Sequence, residues 1–430
     1  MKCEHMKRKC LVVGIILLFI GTGIIPSTAQ NMEKPSPPIS RGNWLYVGGS
    51  GPGNYTKIQD AIDNASDRDT VYVYNGTYFE NINITKPLTL MGEQHYTTII
   101  DGCRRGNVIT VESNNVTISG FTLKNGTDNT IWGRWAIQIQ KGIGPASHLK
   151  NISISQCVIT ENRGGILFQN VTDGKIQDCT IHDNLASIAI RYRSDNILIE
   201  NTTIYHNGET ISNNSYYSGG IMIDGNTYLC SNLTLMNCKI YKNIGEGLEL
   251  IGVNNMSVAY CSINDTSWFG IIIGQQVQNI TIHHTKIIDN RHEGIHLTDG
   301  TIGRISLRSI RNILIHNNTI ANNGGILYAY GGMFICNCVD GVRIIDNDII
   351  SNDGYGVYFD CSRKNQVVNN NFINNTCNAY FSRYGPVWNQ WKGNYWDTWI
   401  GIGPKMIKGY KWANFDWHPA KEPYDIPEVI

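Results

Sequence analysis

Three polar side chains at related positions of neighbouring repeats could do chemistry: Asp224, Glu249 and His296, preceded by Arg191 and Arg193. They alternate with apolar residues in Ile-Met-Ile-Asp224, Gly-Leu-Glu249-Leu and Gly-Ile-His296-Leu, so each points away from a core. In a stacked fold, groups two repeats apart stand about 10 Å from one another. That is near the carboxyl spacing of inverting glycoside hydrolysis, so general acid and base are their candidate catalytic roles. The bland alternative is a solvated strand face with scattered charges. A second set suits sugar rings: Trp132, Trp135, Tyr216 and Tyr217, with Arg304, on long insertions at 126–150, 207–219 and 298–311. The alternative there is that the aromatics only pin the loops. A third pair, His283 and His316, falls in one column of the repeat alignment, where imidazoles one coil apart could share copper or zinc. No cofactor is required; copper, zinc or calcium remain open.

What must position these residues is a repeated phrase, Asn-Ile-x-Ile-x-x-Cys-x-Ile-x-x-Asn. It reads NISISQCVITEN from Asn151, NLTLMNCKIYKN from Asn232 and NITIHHTKIIDN from Asn279. Its last position falls on Asn162, Asn184, Asn207, Asn243, Thr266, Asn290, Asn323, Asn352 and Asn375, with steps of 22 to 36 residues. Such a period means a solenoid. The phrase alternates as a strand does, and a second strand opened by Gly follows it, as at Gly164, Gly247, Gly270, Gly294 and Gly356. The economical solution is all-β: a single-stranded right-handed parallel β-helix of eleven or twelve coils. Stacked Asn amides then form a ladder, and the column Cys157, Cys179, Thr202, Cys238, Cys261 and Thr285 faces inward.

The composition excludes other classes. Charged residues are 16% of the chain and balance to zero, so nothing offers nucleic acid a basic field. Lys2, Lys7, Arg8 and Lys9 precede an apolar run from Leu11 to Ile25 and then Pro-Ser-Thr-Ala29, the pattern of a cleaved export signal over residues 1–29. A retained anchor is the competing reading. Residues 30–43 read as a linker, 44–104 as an N-terminal cap with the first coils, 105–387 as the repeats and 388–430 as a Trp/Tyr-rich closure. Ten cysteines follow the leader, and any disulfides are expected among Cys230, Cys336, Cys338, Cys361 and Cys377. Sixteen Asn-x-Ser/Thr sequons occur. A corner Asn before a Thr- or Ser-bearing strand generates them automatically, so a minority at most is expected to be glycosylated.

Residues 55–65 place Ile58, Ala61, Ile62 and Ala65 on one helical face, with Thr56 as N-cap. Together with the segment from Asp69-Thr-Val-Tyr-Val to Ile82-Asn-Ile-Thr-Lys-Pro-Leu-Thr-Leu-Met-Gly92, this resembles the N-terminal cap of secreted right-handed β-helix proteins. That group includes pectin methylesterases, polysaccharide lyases and the wider carbohydrate-binding and sugar-hydrolase (CASH) proteins. The tail, Trp388-Asn-Gln-Trp391-Lys-Gly-Asn-Tyr-Trp396, is similar to the closure of NosD-type proteins, accessory factors of nitrous oxide reductase. Two departures stand out: Arg68 replaces the usual Gly before Asp-Thr-Val, and the relatives' catalytic signatures are missing. The resemblance implies a secreted, surface or periplasmic protein binding envelope or extracellular polysaccharide. The alternatives are a lyase or hydrolase with an unrecognised site, and a NosD-like copper accessory protein. A monomer is expected, with no nucleic acid and no membrane contact after leader removal.

Overall fold

The computed structural model describes residues 42–126, 135–142, 147–212, 215–217, 219–299, 310–325, 330–336, 339–382 and 389–427; at 210–212 and 215–217 only the backbone is described. The leader, the linker as far as residue 41, Trp132, Arg304 and Trp388 lie outside these residues.

Three long sheets run the length of the molecule, of 16, 12 and 13 strands. Each coil contributes one strand to each. The phrase from Asn151 therefore covers two strands, Leu149–Ser155 and Val158–Thr160, and Gly164–Gln169 is a third rather than a second. A corner at Gln156, with φ 51°, divides the phrase. Each strand pairs in parallel with its equivalent one coil away, for example Ile152 with Gly174 and Ile159 with Ile181. The interior is a stack of Ile, Leu and Val from all three sheets. At roughly 25 cal/mol per Å² of apolar surface, its burial dominates the stability of the solenoid.

The Asn column is a ladder. Asn162 Nδ2 donates to Asn184 Oδ1 at 3.0 Å, Asn184 to Asn207 at 3.0 Å, Asn290 to Asn323 at 2.9 Å and Asn323 to Asn352 at 3.0 Å. The residue before each rung takes a left-handed conformation (Glu161, Asp183, His206, Lys242), which turns the chain and aims the amide inward. The Cys column has its own logic. Cys157 Sγ donates to Ser155 O at 3.2 Å, Thr202 Oγ1 to Glu200 O at 2.9 Å and Asn347 Nδ2 to Ile345 O at 2.9 Å. Each is a small buried donor serving the carbonyl two residues earlier, so Cys, Thr and Asn interchange.

Two expectations change. The capping helix spans Ile58–Asn64 with Lys57, not Thr56, at its N-cap, and the cap is supplied from afar. The Glu80 carboxylate accepts the N–H groups of Ile58 at 2.8 Å and Gln59 at 2.9 Å, placing an anion at a helix N-terminus. Among the described cysteines, Cys230, Cys336 and Cys377 are free thiols rather than disulfide partners; Cys338 lies outside the described residues. The Arg68 that replaces Gly adopts φ 72°, the conformation Gly would take there.

Candidate functional site

Parallel register turns alternate residues of the third sheet into outward columns. One runs Gln138, Leu167, Ala189, Met222, Glu249, Ile272, His296, Phe334, Tyr358 and Tyr380. The neighbouring column, two residues further along each strand, holds Gln169, Arg191, Asp224 and Ile251. The candidate trio therefore divides. Glu249 and His296 share a column with Ile272 between them, while Asp224 stands beside it, in register with Arg191. Arg193 leaves this face and stacks over Tyr228, 4.1 Å from the ring centre.

Glu249 is half-buried, and a depression of about 300 Å³ opens beside it, lined by Asn226, Glu249, Ile251, Ile272, Gly274, Gln275 and Thr298. Burial, then the carboxylates of Glu246 and Asp224, raise its pKa from the ordinary 4.5 to about 7, with Arg191 pulling the other way. A carboxyl group at that value holds or releases a proton at neutral pH, as a general acid or base must.

Across Ile272, His296 belongs with His292 to a cluster built around Glu293, the member that the sequence does not mark. Glu293, only 2% exposed, accepts the Tyr330 N–H at 2.8 Å through Oε1. Its Oε2 faces His296 Nδ1 at 3.7 Å and His292 Nδ1 at 3.9 Å, both beyond hydrogen-bond reach. Burial opposes ionisation of Glu293, but His296 and the Tyr330 N–H outweigh it and hold the carboxyl below its usual range. Burial pushes the His292 imidazole down, with Glu293 opposing. His296 Nε2 points to the Cys336 thiol at 4.0 Å. Aromatic walls close the cluster: Trp268 lies 3.7 Å from His292, and Phe269 and Phe334 lie 4.6 and 5.2 Å from His296, centre to centre.

Toward the C-terminus the column becomes a row of rings, Phe334 to Tyr358 at 5.0 Å and Tyr358 to Tyr380 at 5.5 Å. Toward the N-terminus, Trp135 is 8% exposed and packs with Leu167 and Ala189. It covers the outer sheet instead of offering a face to a sugar. The 207–219 insertion forms an antiparallel hairpin, Glu209–Ser212 with Ser215–Tyr217, so Tyr216 and Tyr217 are on a strand next to this sheet in sequence. Third-sheet strands border the other insertions: Trp135–Ile139 lies within that at 126–150, Ile295–Leu297 precedes that at 298–311 and Gly331–Ile335 follows residue 325.

The histidine pair lies on the first sheet. His283 and His316 are directly in register, their rings stacked 5.2 Å apart and 12° from parallel. Burial and the neighbouring imidazoles hold both below the usual histidine range, and Asp346 partly opposes this at His316. His283 Nδ1 lies 3.0 Å from His284 Nδ1. Among the described residues, however, no three His, Cys, Asp or Glu side chains converge as a metal site. That includes His292-Glu293-Gly-Ile-His296, whose spacing serves zinc on a helix but here runs from a corner into a strand.

Comparison with known proteins agrees with this architecture. The right handed beta helix region model matches residues 53–211 and 208–332. The model of the periplasmic copper-binding protein NosD matches residues 302–401. No curated protein sequence matches the chain. The A-module of Azotobacter vinelandii mannuronan C-5 epimerase AlgE6 superposes with a TM-score of 0.60 at 18% identity, covering 78% of this chain and 93% of that one. The PL6 family alginate lyase AlyGC gives 0.55 at 12% identity, covering 89% and 57%. The catalytic domain of a GH87 alpha-1,3-glucanase, in complex with tetrasaccharides, gives 0.54 at 13% identity, covering 85% and 66%. At such identities the likeness is one of fold.

Proposed function

From the premise that this chain belongs to the right-handed β-helix family, we propose that it is an exported protein that holds a polysaccharide along the outer face of its third sheet. The observation that carries this reading is the column itself. Within seven successive coils it passes from Met222 through Glu249, a depression, His296 and the buried Phe334 to the half-buried rings of Tyr358 and Tyr380. A sugar polymer needs such alternation, with apolar surface for ring faces and polar groups for hydroxyls. The fold neighbours act on mannuronan, alginate and α-1,3-glucan, which supports a glycan as ligand. A leader over residues 1–29 would deliver the protein outside the cytoplasm, where such glycans are.

A second reading, that the protein also turns the glycan over, is favoured by Glu249. With its pKa near 7, it could exchange a proton with a sugar oxygen above Ile272. His296 would act from the other side, with the Glu293 carboxylate 3.7 Å from its Nδ1. Calorimetric titration with acidic and neutral oligosaccharides tests the first reading: Tyr358→Ala and Tyr380→Ala, whose rings are half-buried rather than covered, should each weaken binding by about 1–2 kcal/mol. Unchanged affinity in both removes the third-sheet site. Chromatography of incubated glycan tests the second. Product from the parent chain that persists in both Glu249→Gln and His296→Ala removes the acid–base pair. The NosD-type copper reading rests on less than a quarter of the chain, and the described residues supply no three-ligand site for it. His283 and His316 remain its candidates, testable by metal analysis of the purified chain.

A further inference from the structure

The C-terminal closure presents the opposite of an ordinary end cap. Ile400 and Ile402 are 86% and 79% exposed, and Met406, Tyr410, Trp412 and Trp417 are also open to solvent. This exposure is built. Trp399, packed against the core, closes the 399–403 turn through Nε1 to Gly403 O at 3.1 Å. Lys405 Nζ ties Thr398 Oγ1 at 2.7 Å. Gly401 and Gly403 take φ 82° and 68°, holding the two isoleucines at the turn. Lys405–Lys408 then pairs antiparallel with Ala413–Asp416, placing Met406 beside Phe415, against which Trp417 packs at 5.5 Å.

Within 398–417 lysine exceeds acid: Lys405, Lys408 and Lys411 stand against Asp416, while Asp397 precedes the element and Lys421 is followed by Glu422. Asp416 is fully buried, accepting from Asn394 and the Trp396 indole, and Asp397 bears on Lys405, so Lys408 and Lys411 carry the excess at the surface. Aliphatic tips, indole and phenol rings and a lysine excess on one short hairpin form the combination that partitions into the boundary of an anionic bilayer. A glycan would use the rings but not the isoleucines. A second copy docking two-fold on this hairpin would bring Lys408 and Lys411 against their own equivalents.

We propose that residues 398–417 are an interfacial element binding an anionic phospholipid surface, lying in the headgroup layer without crossing it. The test uses the full chain with phosphatidylcholine vesicles, with and without phosphatidylglycerol. The apolar run at 11–25 could bind lipid itself, so every comparison is made between chains that share it. The expectation is tighter binding to the anionic vesicles. Lys408→Gln/Lys411→Gln should lose that preference by about tenfold, and Ile400→Ser/Ile402→Ser should lose about tenfold on both vesicle types. Brominated lipid should quench the parent more than Trp412→Phe/Trp417→Phe. These residues are exposed, so circular dichroism should show the fold intact in every variant. Equal binding by parent and isoleucine variant, or equal quenching, would overturn the proposal and assign any binding to the N-terminal run. A dimer without lipid that the same isoleucine changes dissociate would overturn it in favour of self-association.

Discussion

Replacing Glu249 by Gln keeps the side-chain shape and removes its ionisation. In the fold, burial and then Glu246 and Asp224 move this carboxyl from 4.5 to about 7. That gap corresponds to at most about 3 kcal/mol between its two protonation states. Because the group is half-buried, water screens part of this, leaving about 1–2 kcal/mol. The sign follows from linkage: with the folded pKa above the unfolded one, the neutral form is favoured in the fold. This stabilisation is fully present below pH 4.5 and is lost as pH rises through 7. Glu249→Gln never ionises, so it should match the parent at pH 4 and be more stable by about 1–2 kcal/mol at pH 8. Urea unfolding at pH 4, 6 and 8 measures the difference. A constant difference across that range, or a parent more stable at pH 8, would show that Glu249 does not sit in the environment described.

Three further outcomes are expected. Asn323→Ala should cost about 1–3 kcal/mol, because Asn290 loses the acceptor of both its N–H and its Nδ2; Asn323→Thr should cost less, since Thr266 at the equivalent corner keeps the donor side by bonding the next rung, and equal losses would refute the ladder account. Glu80→Gln should destabilise by about 0.5–1 kcal/mol in denaturant titration by weakening the anionic cap of Ile58–Asn64; no change would mean that the contact is incidental. Glu293→Gln should lower the titration midpoint of His292 observed by NMR, since Glu293 is the group that opposes its depression by burial; an unmoved or raised midpoint would separate the two residues.

The fold was legible because its chemistry repeats: one corner position must hold a buried amide and another a small donor to a carbonyl two residues back. The cut between the first two strands was not legible. The residue that turns the chain there is Gln, Asp, Asn, Tyr or His (Gln156, Asp178, Asn201, Tyr260, His284), with no common turn signature. The site was half legible. Glu249 and His296 follow from counting along the Gly-led strands. Asp224, two positions further on, shares their outward direction but not their column. Glu293 gave no signal, because a glutamate at a polar corner reads as surface until burial is known. Trp135 misled for the converse reason: a tryptophan near an insertion suggests a stacking platform, but the small residues Gly164 and Ala189 leave room for it to lie flat against the sheet.

The ladders also have direction. Apart from the step from Asn243 to Thr266, each asparagine amide of the buried columns donates to the next rung and accepts from the coil before, so the last donor needs a group that only accepts. Both columns finish that way. Asn318, Asn347, Asn370 and Asn394 hand on to Asp416, and Asn352 passes through Asn375 and Asn378 to Asp397. A carboxylate has no N–H to pass on, so each aspartate acts as a full stop in a sentence otherwise free to continue. Length in this molecule is thus written in hydrogen-bond grammar: a coil duplicated before the stops has donors and acceptors to join, whereas one appended after them meets a terminus that offers it nothing.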